Sequence, residues 1–467
     1  MRVATARFQT WVWIVALVPV FAVSTPKALG DIPPGSRSGE YLVVTASEFF
    51  NGPALNEFTA AKALQGFNVT VYEAVPGTHR GTIKSYIESW YSSTAICYVL
   101  LVGDTVVETV EVSTATRIPC WEGSSTRTPP TDLYYACMDG VDDWYPDLFI
   151  GRFSVTSESE LQAIVDKTLH VEAGIFSDPT YAQRAMFLCS GEDETCHAWT
   201  THDWVIDTYM FPAGFDSDTL YFIWDEEHPY SWSTQVISDA VNAGTLFLVH
   251  GGHGSSAGWW SPSFDQDDIA LLTNGGLYGL VYSWSCRTAA YGYPDAVFGE
   301  TWLREGERGA VAYIGASEEV PWSDDLAWEP TRRLEKYFFQ SLLADGIWEV
   351  GPAWQAALYR LLADPDFDPT VFPGLVYTIW MFEVFNVWGD PSLLLPLYGD
   401  GDFDNDDDVD LSDVARFQAC FGHNGLDDCG PAHLAEQRVI DLDDYAELDS
   451  RVTGPDPGRG GGGGKGW

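Results

Sequence analysis

Leu246–Trp260 reads LFLVHGGHGSSAGWW, an apolar run that ends in a glycine-rich turn carrying His250 and His253. A second apolar run, GLVYSWSC, spans Gly279–Cys286 and ends in a thiol thirty-three residues after His253. Two imidazoles this close could ligate a metal, help cradle a phosphate, or supply half of an acid–base pair. An H-x-x-H pair in a glycine-rich turn does not match a helical zinc pattern, and no third or fourth ligand is evident. A phosphate loop would need a lysine after its glycines, and none is present. A thiol paired with an imidazole has a definite chemistry. The thiolate attacks a carbonyl carbon, a nearby imidazolium lowers the thiol's pKa, and the imidazole protonates the departing amine. The backbone N–H groups of Gly254 and Cys286 are candidates for binding the developing oxyanion, because a glycine lets the backbone approach closely. The plain alternative is a small buried cysteine and a structural turn. Spacing alone leaves both open.

These residues need elements to bring them together. The sequence alternates β-rich runs and helical patterns. Strands are expected at Tyr41–Ala46, Asn68–Glu73, Cys97–Val102 and Leu148–Phe153, with helices at Leu55–Gln65, Ile83–Tyr91 and Glu158–Glu172. A second set has strands at Met186–Ser190, Leu246–His250, Gly279–Cys286 and Ala310–Gly315, with helices at Trp232–Ala243, Ala296–Glu305 and Trp328–Leu343. Continuous apolar strands interleaved with helices imply parallel sheets covered on both faces. The expected class is therefore α/β, in two stacked units with a boundary near Ile175–Tyr181. In an open α/β sheet, ligands bind beyond the carboxyl ends of the strands. His253 lies three residues beyond one strand, Cys286 ends another, and Glu192 lies two residues beyond a third. If the first two strands are neighbours, their tips stand roughly 4.8 Å apart and face one cleft.

The 467-residue chain carries a net charge of −44, which disfavours nucleic acid and anionic membrane surfaces as partners. Arg2 and Arg7, the apolar stretch Trp11–Val23 and the small residues Ala28-Leu29-Gly30 read as a secretory leader over residues 1–30. A mature, exported chain of charge −47 is expected, because the leader holds Arg2, Arg7 and Lys27 and no acid. No other apolar stretch is long enough to span a membrane. Export permits disulfides. Closeness in sequence makes Cys420–Cys429 and Cys189–Cys196 the expected pairs, with Cys286 the reactive free thiol.

The quoted segments together resemble the gingipains, secreted bacterial cysteine endopeptidases with a caspase-like fold. YVLLVGD (Tyr98–Asp104) and PDLFIGRFS (Pro146–Ser154) resemble that family's first subdomain. GHGS (Gly252–Ser255) followed by Cys286 resembles its catalytic pair. GAVAYIGASEEVPW (Gly309–Trp322) and VWGDPSLLL (Val387–Leu395) resemble the segments that follow. The resemblance implies peptide-bond hydrolysis of protein or peptide substrates without an organic cofactor. It implies His253 rather than His250 as the catalytic histidine, Cys286 as the nucleophile, and Glu192 as the acid that orients the histidine. Trp322 falls at an aromatic wall of the S1 pocket. The family's arginine-holding acid would fall near Trp199, which is uncharged, so a neutral or apolar P1 residue is expected. Glu318 and Glu319 are candidates for a substitute floor. The long inhibitory propeptide of the family is not expected here, since strand Tyr41–Ala46 follows the leader almost at once.

Beyond residues 31–175 and 176–397, the two expected subdomains, residues 398–453 read as a small helical module. DFDNDDDVDLSD (Asp402–Asp413) resembles a dockerin calcium loop. The ligands would be Asp402, Asp404, Asp406 and Asp413, with the Asp408 carbonyl and Asp410 acting through water. Asp407 stands where the loop usually has glycine. A second copy, VIDLDDYAEL (Val439–Leu448), has His433, Ala435 and Gln437 at its first ligand positions, so one calcium is expected. A cohesin-like docking protein is the implied partner, and the resemblance leaves room for structural calcium in the peptidase part. Residues 454–467 form a glycine-rich tail. Two competing readings stand beside the endopeptidase: a transpeptidase of the same fold that attaches exported proteins to the surface, and a binding scaffold with a dead site.

Overall fold

The computed structural model describes residues 39–397 except 93–95, 106–109, 126, 141–142, 175, 191–197, 224, 294, 321–328 and 365–373, together with Val414 and Gln418. The expected leader, Glu192, Cys196, Trp322, the expected calcium loop at Asp402–Asp413, Cys420, Cys429 and the glycine-rich residues 454–467 all lie outside the described residues.

The first half runs β1 (Glu40–Ala46), α1 (Pro53–Leu64), β2 (Asn68–Ala74), α2 (Arg80–Tyr91), β3 (Ile96–Val102), the short hairpin β4 (Trp121–Glu122) and β5 (Pro130–Thr131), β6 (Phe149–Phe153) and α3 (Glu158–Glu172). The second half runs β7 (Arg184–Ser190), α4 (Ala198–Val205), β8 (Asp216–Phe222), α5 (Tyr230–Ala243) and β9 (Phe247–Gly251). A small meander follows, β10 (Gly254–Ser255), β11 (Gly258–Trp260) and β12 (Ser263–Asp265), then α6 (Gln266–Ile269), β13 (Gly279–Ser283), α7 (Phe298–Arg304) and β14 (Ala310–Ala316). α8 (Glu329–Phe339), α9 (Val350–Ala363), α10 (Gly374–Val384) and β15 (Phe385–Trp388) complete it.

Local chemistry accounts for several boundaries. Ser157 and Glu160 form a reciprocal capping box at the start of α3, and Pro53 opens α1, where its missing N–H costs nothing. β1, β9, β13 and β14 are buried along almost their whole lengths, as parallel strands covered on both faces must be.

The two expected units form one ten-stranded sheet in the order β2-β1-β3-β6-β15-β14-β13-β9-β7-β8. β15 joins the halves. It runs antiparallel to β14 and pairs in parallel with β6 at Trp388 and Arg152. The close approach requires glycine: a Cβ on Gly151 would sit 2.4 Å from the Gly389 carbonyl oxygen. A buried charge cluster ties the same region to the helices, with Lys62 2.6 Å from Glu172 and 2.5 Å from Asp390. Tyr41 donates its hydroxyl to Asp390 at 2.7 Å. A lysine this deep is tolerable only because two carboxylates compensate its charge.

The sequence reading omitted edge strand β8, the β10–β12 meander and β15. The meander strands and β15 have only two to four residues, whereas β8 is as long as β7 at seven residues but its polar start (DSDTLYF) breaks the expected apolar pattern.

Candidate active site

β9 and β13 are parallel neighbours, and Ser283 pairs in register with His250. β13 ends at Ser283 rather than at Cys286, which corrects the expected strand end. The pairing carries one step further, as Trp284 N–H donates to the His250 carbonyl at 3.1 Å. His253 and Cys286 therefore each lie three residues beyond one register pair. Their two turns pack against each other. A Cβ on Gly254 would stand 2.8 Å from Ser285 Cβ, 2.9 Å from Thr288 Cγ2 and 3.4 Å from the Cys286 carbonyl oxygen. Only glycine fits there, and it brings the backbone after His253 onto the turn that carries Cys286.

The two histidines have different surroundings. His250 is fully buried and lies face to face on Trp259, ring centroids 4.5 Å apart. Its Nε2 faces the Ser261 carbonyl at 3.4 Å, which can only accept. Nε2 therefore carries the proton, and Nδ1 accepts from the Ser285 hydroxyl at 2.6 Å. Burial pushes the His250 pKa down to about 3. With both nitrogens engaged, His250 has no lone pair for a metal or a substrate. His253 is half-buried, stacks on Trp260 at 5.9 Å, and accepts the Trp260 N–H at its carbonyl at 3.1 Å. Consecutive tryptophans of β11 thus each face one histidine, because neighbouring side chains of a strand point to opposite faces.

Cys286 is half-buried, and its sulfur lies 3.4 Å from the Val320 N–H and 3.8 Å from the Val320 carbonyl. Burial pushes the thiol pKa up. The Val320 N–H opposes this, Glu319 adds to it, and Arg287 opposes it. The sequence reading expected a lowered thiol pKa. Here desolvation dominates.

Arg287, immediately after the thiol, has a positive φ of 56°. Its N–H donates to the Glu318 carbonyl at 3.2 Å, and its guanidinium meets Glu318 Oε1 at 2.6 and 2.5 Å. Arg287 also reaches Glu319 at 3.5 Å, and Glu319 pairs with Arg127 from the β4–β5 hairpin. Glu318 and Glu319 thus lie beside the Cys286 turn, and both already hold guanidinium partners.

Trp199 sits in the first turn of α4 and is 42% exposed. Its neighbour Ala198 packs on Gly251, where an added Cβ would lie 2.9 Å from Ala198 Cβ. That places Trp199 at the same sheet edge. Sequence reasoning missed Ser285, Arg287, the Val320 amide and Trp260. The repeated tryptophan at 259–260 was the one legible signal among them.

Among the described residues, no cluster of three or more His, Cys, Asp or Glu is placed to hold a metal ion, and no helix is long and apolar enough to cross a membrane.

Residues 35–396 match the family described as Peptidase family C25. Lys-gingipain of Porphyromonas gingivalis is 31% identical over 308 residues, which are 62% of this chain and 16% of that protein. Gingipain R1 of the same organism is 22% identical over 303 residues, 62% of this chain and 28% of that protein. The chain therefore spans less than a third of the length of these curated relatives. The crystal structure of the Arg-specific cysteine proteinase gingipain R superposes with a TM-score of 0.63 at 20% identity, covering 77% of this chain and 79% of that one. At that identity the match carries the fold.

Proposed function

The chain belongs to peptidase family C25, and from that premise we propose that it is an exported cysteine endopeptidase that works through Cys286 and His253. The observation that carries this reading is the equal offset of the two residues beyond the His250–Ser283 pair, which sets thiol and imidazole on adjacent strand tips.

The steps follow from the groups present. Because burial holds the resting thiol protonated, Sγ gives its proton to His253 as it attacks the substrate carbonyl carbon. The N–H groups of Cys286 and Gly254 receive the oxyanion. His253 returns the proton to the leaving nitrogen, the C–N bond breaks, and an acyl thioester remains on Cys286. Water, deprotonated by His253, then attacks the thioester carbonyl. The acid product departs, and the proton restores the thiol. Glu192 is the acid proposed to orient His253.

Specificity is proposed to differ from the relative titled Arg-specific. The resemblance puts the family's charge-holding acid near Trp199, which is uncharged, and Glu318 and Glu319 are committed to arginines. A P1 pocket walled by Trp199 and Trp322 favours neutral or apolar side chains, since each Å² of apolar surface buried there gains about 25 cal/mol. The Asp402–Asp413 loop is proposed to hold one calcium ion and to dock the enzyme on a cohesin-like partner.

A peptidyl thiol-directed inhibitor tests the reading. It should label Cys286 in the wild type and fail in His253→Ala. Labelling of another cysteine, with cleavage intact in Cys286→Ala, overturns it.

A further inference from the structure

Trp260 is 59% exposed although it is one of the largest apolar side chains. Its partner in the pair, Trp259, is buried and donates its indole N–H to Ser283 at 2.9 Å. Core packing therefore explains Trp259 and leaves the outward indole on His253 unexplained. Trp260 pairs in register with Ser263. The Ser263 carbonyl accepts from the Thr234 hydroxyl at 2.8 Å, and that hydroxyl also lies 3.2 Å from the Tyr230 carbonyl. This bond places the first turn of α5 against the meander. That turn presents Tyr230 and Trp232, 45% and 41% exposed. Those two rings face Phe222 of β8, with centroids 5.5 and 6.5 Å from it, whereas Trp260 is the exposed ring stacked on His253.

We infer that Trp260 binds the part of the substrate that departs with the leaving amine, and that this part carries a large apolar side chain. The inference rests on the peptidase reading. His253 must reach the nitrogen it protonates, so the residue carrying that nitrogen passes beside the ring on which Trp260 stacks. A large apolar side chain there covers the indole and removes water from both surfaces. Isolated exposed aromatics are common, but this one is stacked on the imidazole that the peptidase reading makes the proton donor.

The test uses the full chain and peptides that share the acyl-side sequence the wild type cleaves best. One peptide continues after the scissile bond with Phe-Leu, the other with Gly-Gly. A single apolar side chain in a pocket discriminates by roughly 10–200-fold. The wild type should therefore cleave the Phe-Leu peptide at least about tenfold faster in kcat/KM. Trp260→Ala should bring the ratio close to one, and Trp260→Phe should keep most of it. Alkylation of Cys286 by a peptidyl halomethyl ketone, which has no leaving-side residues, counts intact sites in each variant. An unchanged ratio in Trp260→Ala overturns the inference while the peptidase reading stands. Equal losses on both peptides show that the indole only holds His253, which also overturns it. A wild type that cleaves neither peptide and leaves Cys286 unlabelled ends the peptidase reading and this inference together.

Discussion

His253 and Cys286 each lie three residues past the His250–Ser283 register pair of adjacent parallel strands, in turns that pack on each other at Gly254 and Ser285. The spacing of thirty-three residues in the sequence is the register offset of the sheet itself. A one-residue slip of β9 on β13 would turn every side chain of one strand to the other face and destroy the pair.

Removing either member should be severe. Cys286→Ala and His253→Ala should each lower kcat/KM by about 10³-fold or more, and the double variant should be little worse than either alone, because the two groups act as a unit. His250→Ala should retain more activity than His253→Ala while losing about 2–4 kcal/mol of stability, through its cavity and the orphaned Ser285 hydroxyl. Steady-state kinetics with chemical denaturation separates the two histidines. A dead His250→Ala beside an active His253→Ala would reverse the assignment.

Acid should unfold the protein partly through His250. Its pKa is about 3 in the folded chain against an ordinary 6.5. Between these values the unfolded chain binds a proton that the folded chain refuses. Stability therefore falls as pH drops from 6.5 toward 3, by at most about 1.4 kcal/mol per pH unit from this group. Urea midpoints across that window should fall more steeply for the wild type than for His250→Gln. Parallel curves would show that His250 does not titrate in this way.

Arg287 should position the nucleophile without touching substrate. Its positive φ is sparsely populated for a non-glycine residue and costs on the order of 1 kcal/mol, which the Glu318 contacts offset. Arg287→Ala should lower kcat by about tenfold or more with a smaller change in KM. Arg287→Lys should recover only part of it, since a point charge does not reproduce the guanidinium fork. A change in KM alone would instead make Arg287 a substrate contact.

Cleavage of matched peptides with Arg, Lys, Ala, Leu or Phe at P1 should favour the neutral side chains. Exchange of both acids, Glu318→Gln with Glu319→Gln, should not create or abolish a basic preference. A strong Arg preference that survives the exchange would place the P1 pocket elsewhere.

Calcium titration of the full chain should show one site assigned to the Asp402–Asp413 loop, abolished by Asp402→Asn with Asp406→Asn. Without the cation the crowded carboxylates repel one another. Two sites of similar affinity would mean that the copy at Val439–Leu448 also binds.

The sequence by itself determined the α/β class, seven of the ten strands of the main sheet to within a residue or two, and the candidates His253 and Cys286. Those follow from local signals: apolar runs, helical periodicity and a glycine-rich turn. It overran at β13, because Trp284 and Cys286 continue the apolar pattern after the ladder has ended. Only the tertiary structure decided strand order, the bridging role of β15, and which histidine is sealed inside. These depend on contacts between residues far apart in the chain. Trp388 meets Arg152 and Ser285 meets His250, and no local pattern encodes either contact. The same holds for electrostatics. Glu318 and Glu319 read as free acids until folding sets Arg287 and Arg127 against them. The thiol reads as activated until burial raises the cost of its charge.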